Sequence, residues 1–128
     1  MTAPLVFVST HRVPQGAADD LRTLGREFVR FVEAEEPHSV VLQVLLGAEG
    51  TELIYLHVHD DAQGMDRHLR LSRERIGRAV DLAPPVRVTV YGTPGPVLSE
   101  ALRHNAEAGA RVTVVPEVVA GLLRSVAA

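Results

Sequence analysis

The side chains best suited to chemistry in this 128-residue chain are histidines, and they recur in patterns of two. His57 and His59 are two apart in an apolar run, and Ser9 and His11 are two apart in another. In an extended strand, residues two apart point to the same side, so each pair shares a face. His68 follows within a stretch of helical periodicity. Imidazoles around an apolar cavity can take and return protons near neutral pH. Two on one strand can also ligate a metal. A His-X-His pair on a strand is more commonly hydrogen-bonded than metallated, so no metal site is assigned. A metal-dependent lyase or dioxygenase using His57, His59 and His11 is carried as an alternative.

Other polar groups lie in step with these. Tyr55 shares the His57 face, and Gln43 sits on the mostly apolar second face of its own strand. Arg87 and Tyr91 occupy alternate positions of a later strand. Ser9, Gln43, Tyr55, His57, Arg87 and Tyr91 are the candidate ligand-binding residues, and His11, His59 and His68 the candidate catalytic ones. Asp60 and Asp61 read as helix caps, and His38 and His104 as solvated. The arginines from Arg67 to Arg78 interleave with Asp66 and Glu74, as on a solvated helix face.

The elements that must position these groups follow from periodicity. Leu5 to Val13 reads as a strand ending at the turn Pro14-Gln15-Gly16. Leu21, Leu24, Phe28, Phe31 and Val32 mark a helix that Pro37 stops. Ser39 to Leu46 and Leu53 to His59 are strands around the loop Gly47 to Gly50. A second helix, with Ala62, Met65, Leu69 and Ile76 on its buried stripe, runs to Pro84-Pro85. Val86 to Tyr91 is a fourth strand. The order β-α-β-β-α-β is the ferredoxin-like pattern of an α+β domain. Beyond Gly92 to Pro96 come a short helix, Val97 to about Ala108, and a strand, Arg111 to Val115. The expected organisation is one domain over 1–128, with a core over 1–92 and a helix-strand extension over 93–128.

Both crossover helices should cover one face of the sheet. The other face is expected to carry His57, His59 and Tyr55, and it is too apolar to stay wet. Packing against a second copy would bury it, so a homodimer is expected.

Composition narrows the function classes. The net charge of −3 and a 4% aromatic content argue against a nucleic-acid partner. The absence of cysteine excludes thiol catalysis and Cys-ligated metals. No window has the roughly 18–20 apolar residues of a membrane span. The opening residues do not read as a signal peptide, which leaves a cytoplasmic location as the default expectation. There is no phosphate-binding loop, nucleophile elbow or His-Glu-X-X-His helix. No cofactor is therefore expected.

Two stretches carry a resemblance. VFVSTHRVPQG, Val6 to Gly16, resembles the first strand and turn of antibiotic biosynthesis monooxygenase domains. LIYLHVHDDAQGMDRHL, Leu53 to Leu69, resembles their third strand and second helix. With the order of elements, the resemblance covers about residues 5–92. The remainder, from Val-Tyr-Gly at 90–92 to Arg124, resembles a C-terminal extension in actinobacterial relatives. The resemblance implies a dimeric α+β barrel with a pocket between sheet and helices in each subunit. The family includes cofactor-free quinone-forming monooxygenases, haem-degrading enzymes and polyketide cyclases. Where haem-degrading and quinone-forming members carry Asn on strand 1, Trp ending strand 3 and His on helix 2, this chain has His11, His59 and His68. Only the last is kept, which points away from haem degradation. The implied function is oxidation of an aromatic or polyketide-type compound by histidine acid/base chemistry. A cyclase or isomerase, and a non-catalytic ligand-binding or stress protein, are the alternatives.

Overall fold

The computed structural model describes residues 3–124. Five strands and four helices follow in the order β1 (Leu5–Arg12), α1 (Ala18–Glu35), β2 (Ser39–Leu46), β3 (Glu52–His59), α2 (Ala62–Leu71), α3 (Arg73–Leu82), β4 (Pro85–Tyr91), α4 (Pro96–Glu107) and β5 (Arg111–Val115). The strands form one sheet in the order β2-β3-β1-β4-β5. The first four pair antiparallel, and β5 joins β4 in parallel. This is a ferredoxin-like α+β fold with an α-β extension.

Register decides which side chains share a face. Leu5, Phe7, Ser9 and His11 of β1 pair with His59, His57, Tyr55 and Leu53 of β3. Leu42, Val44 and Leu46 of β2, and Val88 and Val90 of β4, fall on the same side. The helices cover this face. Leu5, Val88 and Val90 pack with Met65, Leu98 and Leu102, and Leu53 packs with Ala17 and Leu21. The expectation that the His57–His59 face lies away from the helices is therefore corrected. The opposite, open face carries Val6, Val8, Val41, Gln43, Leu45, Ile54, Leu56, Val58, Arg87, Thr89 and Tyr91. Both faces are apolar, so alternation alone could not say which one the crossovers cover.

The second helix differs from expectation as well. It breaks at Ser72 into α2 and α3. Ser72 is fully buried, and its hydroxyl donates to the Glu36 carboxylate at 3.0 Å. Serine competes with the backbone for hydrogen bonds inside a helix, and here its side chain is committed to a partner on another element. The N-terminus of α2 is capped as expected, with Asp61 accepting from the Gly64 amide at 2.8 Å.

Polar contacts close both ends of α4, and the one at its N-terminus ties the extension to α2. Its C-terminus closes through Gly109 (φ +104), with the Gly109 and Ala110 amides donating to Ala106 and Asn105. Only glycine takes that left-handed position without penalty. At its N-terminus, α4 has no side-chain cap of its own. Asp66, from α2, supplies one. This carboxylate is buried and accepts from the amides of Leu98 at 2.9 Å and Val97 at 3.4 Å. A Cβ at Gly95 would collide with it. Two charged hydrogen bonds at a helix N-terminus are lost in Asp66→Ala, so a stability loss of about 3 kcal/mol is expected. Urea denaturation reads it; a loss below about 1 kcal/mol would show that the cap does not hold the extension.

Candidate functional site

Between the sheet and the helices lies a cavity of about 140 Å³. Phe7, Ser9, His11, Tyr55 and His57 line it from the strands. Leu24 and Phe28 of α1, Met65, His68 and Leu69 of α2, and Ile76 of α3 close it. The exposed side chains of Glu27 and Arg78 stand at its border, between α1 and α3. An enclosed apolar space of on the order of 150 Å³ holds one benzene ring. The cavity therefore fits a single ring, or one ring of a larger molecule.

Two imidazoles on its walls have their Nδ1 atoms held. His68 Nδ1 donates to both Glu36 oxygens, at 2.7 and 3.0 Å. His68 and Glu36 are each less than a twentieth exposed, so solvent competes little with this contact. Glu36 reaches His68 because Pro37 follows it. Residues before proline are pushed out of the helical region, and Glu36 takes φ −128°, ψ 80° at the end of α1. With Nδ1 occupied, Nε2 is the nitrogen His68 has left to offer the cavity. On β1, His11 Nδ1 meets the Ala83 carbonyl at 2.6 Å. A carbonyl only accepts, so Nδ1 carries the proton. In the neutral ring Nε2 then accepts from the Ser9 hydroxyl, 2.8 Å away. Burial lowers the His11 pKa, opposed by the Ala83 hydrogen bond, which keeps this ring a neutral base at pH 7.

His57 and His59 stand beside His68. The ring centres of His57 and His59 are 4.0 Å apart, and that of His68 is 4.4 Å from His57 and 5.4 Å from His59. His57 Nε2 bonds the Ser39 hydroxyl at 3.0 Å. Burial first, then repulsion from His59 and His68, lowers the His57 pKa to about 2. Burial and His68 lower that of His59 to about 4, against the pull of Glu36, Asp60 and Asp61. Among the described residues neither nitrogen of His59 has a hydrogen-bond partner, and the residue is wholly buried. Tyr55 stands edge-on to both His11 and Phe28, and burial raises its pKa.

Of the residues singled out in the sequence, His11, His68, Ser9, Tyr55 and His57 line the cavity. His59 shares their face but lies behind His57 and His68, outside the lining. Gln43, Arg87 and Tyr91 are corrected to the opposite face, where they cannot reach the cavity. Gln43 pairs across to Leu56, and the Arg87 guanidinium lies 3.8 Å from Glu52. Sequence reasoning missed Glu36, Ser72 and Ser39. Their one legible signal is the Glu-Pro step at 36–37, which marks a helix end and says nothing about its target.

No protein-family model and no curated protein matches the sequence. Solved structures do match in fold. MupZ from Pseudomonas fluorescens is 20% identical, with a TM-score of 0.70 over 94% of this chain and 91% of its own. SnoaB, a cofactor-independent oxygenase from Streptomyces nogalater, is 15% identical, with a TM-score of 0.62 over 75% of this chain and 98% of its own. Rv0793 from Mycobacterium tuberculosis is 18% identical, with a TM-score of 0.61 over 69% and 92%. The chain has the fold of the antibiotic biosynthesis monooxygenase-type proteins. With 94% of the chain covered, the MupZ match necessarily takes in most of the α4–β5 extension.

Proposed function

We propose that this chain is a small-molecule enzyme that withdraws a proton from an aromatic or polyketide-type compound, in the manner of a cofactor-independent monooxygenase. One observation carries the reading: two imidazoles with anchored Nδ1 atoms, His68 on Glu36 and His11 on the Ala83 carbonyl, stand on the walls of one apolar cavity. This is the arrangement of a general base oriented by a third group. The ring of the substrate lies against Phe7, Phe28 and Leu69. Nε2 of His68 takes a proton from an acidic C–H or phenol, and the Glu36 carboxylate stabilises the imidazolium that forms. His11, with Ser9, serves as the second acid/base group.

For a hydroxyanthrone, the resulting carbanion is electron-rich enough to react with oxygen directly. The methylene becomes a carbonyl, one dioxygen is consumed and one water is released. A cofactor-independent oxygenase of the same fold, SnoaB, supports this chemistry. The test is oxygen uptake with a panel of hydroxyanthrones and β-diketones. One dioxygen consumed per quinone formed is the expected result. Product formed without oxygen uptake would select enolisation by the same base, as in a cyclase or isomerase. No turnover across the panel would sink the enzymatic reading.

The active form is a homodimer in this reading. Val41, Leu45 and Tyr91 are exposed on the open sheet face, among half-buried Val6, Val8, Ile54 and Leu56. Val119 and Leu122 of the segment after β5 are also exposed. Monomers rarely leave so much contiguous apolar surface in water. Native mass spectrometry is expected to give twice 13.8 kDa, and Leu56→Arg to give the single chain. A monomeric parent protein would refute the dimer.

A further inference from the structure

We propose that His57, His59 and His68 bind one divalent first-row transition-metal ion, with the cavity on the open side of its coordination sphere. Each residue offers one ligand nitrogen, and these atoms lie within 4.8 Å of one another. Three nitrogens on a tetrahedral ion at about 2.0–2.1 Å stand about 3.3 Å apart. Ring shifts on the ångström scale therefore close the site.

Three observations favour an ion there. First, His59 is wholly buried with both nitrogens unpartnered. Such a group is destabilising for want of a partner, and a bound cation supplies one. Second, the other two ligands are held from behind. Glu36 takes Nδ1 of His68 and Ser39 takes Nε2 of His57, leaving Nε2 and Nδ1 respectively. Metal-bound histidines usually have their second nitrogen fixed in this way. Third, the Glu36 carboxylate bonds His68 directly, Asp60 and Asp61 follow His59 in the chain, and Asp60 Oδ1 is itself unpaired. Their field favours a dication. Three imidazole nitrogens select zinc, cobalt, nickel or copper over magnesium or calcium. His57 and His68 line the cavity and His59 does not, so the cavity is the space that an open coordination position would border.

This inference goes beyond the proposed function and shares its site. With the three imidazoles as ligands, His68 is withdrawn from proton transfer, and His11 is the base that remains on the wall. The test strips the full chain with a chelator, titrates it with zinc and counts metal per chain. X-ray absorption of the zinc-loaded protein should show three imidazole nitrogens at about 2.0 Å. One zinc per chain, lost in His59→Ala, is the expected result. That variant removes an unpaired buried polar group, and circular dichroism checks its fold. Glu36→Gln is expected to weaken zinc binding about 10–100-fold. Substoichiometric zinc, or bound zinc without the imidazole shell, overturns the inference. Turnover is measured separately on stripped and loaded protein. Turnover by stripped protein that takes up no zinc would leave the proton-transfer reading standing without the metal. Zinc bound by three imidazoles with no turnover in either form would do the reverse.

Discussion

In the metal-free protein, replacing His68 by alanine is expected to lower turnover by about 10²–10⁴-fold, the usual contribution of a positioned general acid or base. The ring is the one cavity-lining imidazole whose Nδ1 is held by a buried carboxylate. Its loss removes the proton acceptor and leaves Glu36 with the Ser72 hydroxyl as its remaining hydrogen-bond partner. Glu36→Gln isolates the orienting role. The amide oxygen can still accept from Nδ1, but the negative charge that stabilises the imidazolium is gone. A fall of about 10–100-fold in kcat, with KM little changed, is expected, since Glu36 does not line the cavity. Glu36→Ala is the poorer experiment. It would leave a buried donor on each of His68 and Ser72 without an acceptor, and misfolding would mimic a catalytic defect. Turnover unchanged in His68→Ala would remove this histidine from the chemistry.

The chelator-treated protein is expected to lose stability steeply on acidification below about pH 6.5. In the unfolded chain His57 and His59 titrate near the ordinary value of 6.5, whereas in the folded chain they titrate at about 2 and about 4. Between pH 6.5 and about 4 the unfolded state therefore binds up to two more protons than the native state. Stability rises with pH wherever that holds. The slope approaches about 2.7 kcal/mol per pH unit for two sites, at about 1.36 kcal/mol each. From pH 6.5 to 4.5 the loss is roughly 4–5 kcal/mol, comparable to the whole stability of a small domain. His11, also lowered by burial, adds in the same sense. The slope falls to about half its maximum at pH 6.5 and fades above about pH 7.5, where these groups are neutral in both states. Urea denaturation at pH 6.5, 5.5 and 4.5 measures the effect, and His59→Ala should remove close to half the slope. Equal stability at pH 4.5 and 6.5 would mean that the two rings can protonate inside the fold.

The order of elements was legible in the sequence because it rests on local rules. Period-2 runs bounded by glycine and proline gave β1 to β4, helical spacing gave α1, and Asp61 capped α2 where a short polar side chain precedes the periodic stretch. The pleat alone required His57 to share a face with His59, and Ser9 with His11. The α4–β5 extension followed from Pro94 to Pro96 and from the apolar run at 111–115.

What the sequence could not decide was which face the helices cover. Leu42, Val44 and Leu46 are no more apolar as a set than Val41 and Leu45, so alternation did not rank the two sides. Crossover handedness and the β1–β3 register settled it, and both are properties of the assembled sheet. That one choice put Tyr55 and His57 into the cavity and sent Gln43, Arg87 and Tyr91 to the far side. The histidine cluster depended on it too. His68 is nine residues beyond His59 in sequence, and only the packing of α2 on the sheet brings it against His57. Glu36 is more than thirty residues from His68, and its carboxylate reaches the ring because α1 ends over that part of the sheet. Local periodicity determines which residues travel together on one element. Where separate elements meet depends on the long-range packing that buries their apolar faces, and the site of this protein is made of those meetings.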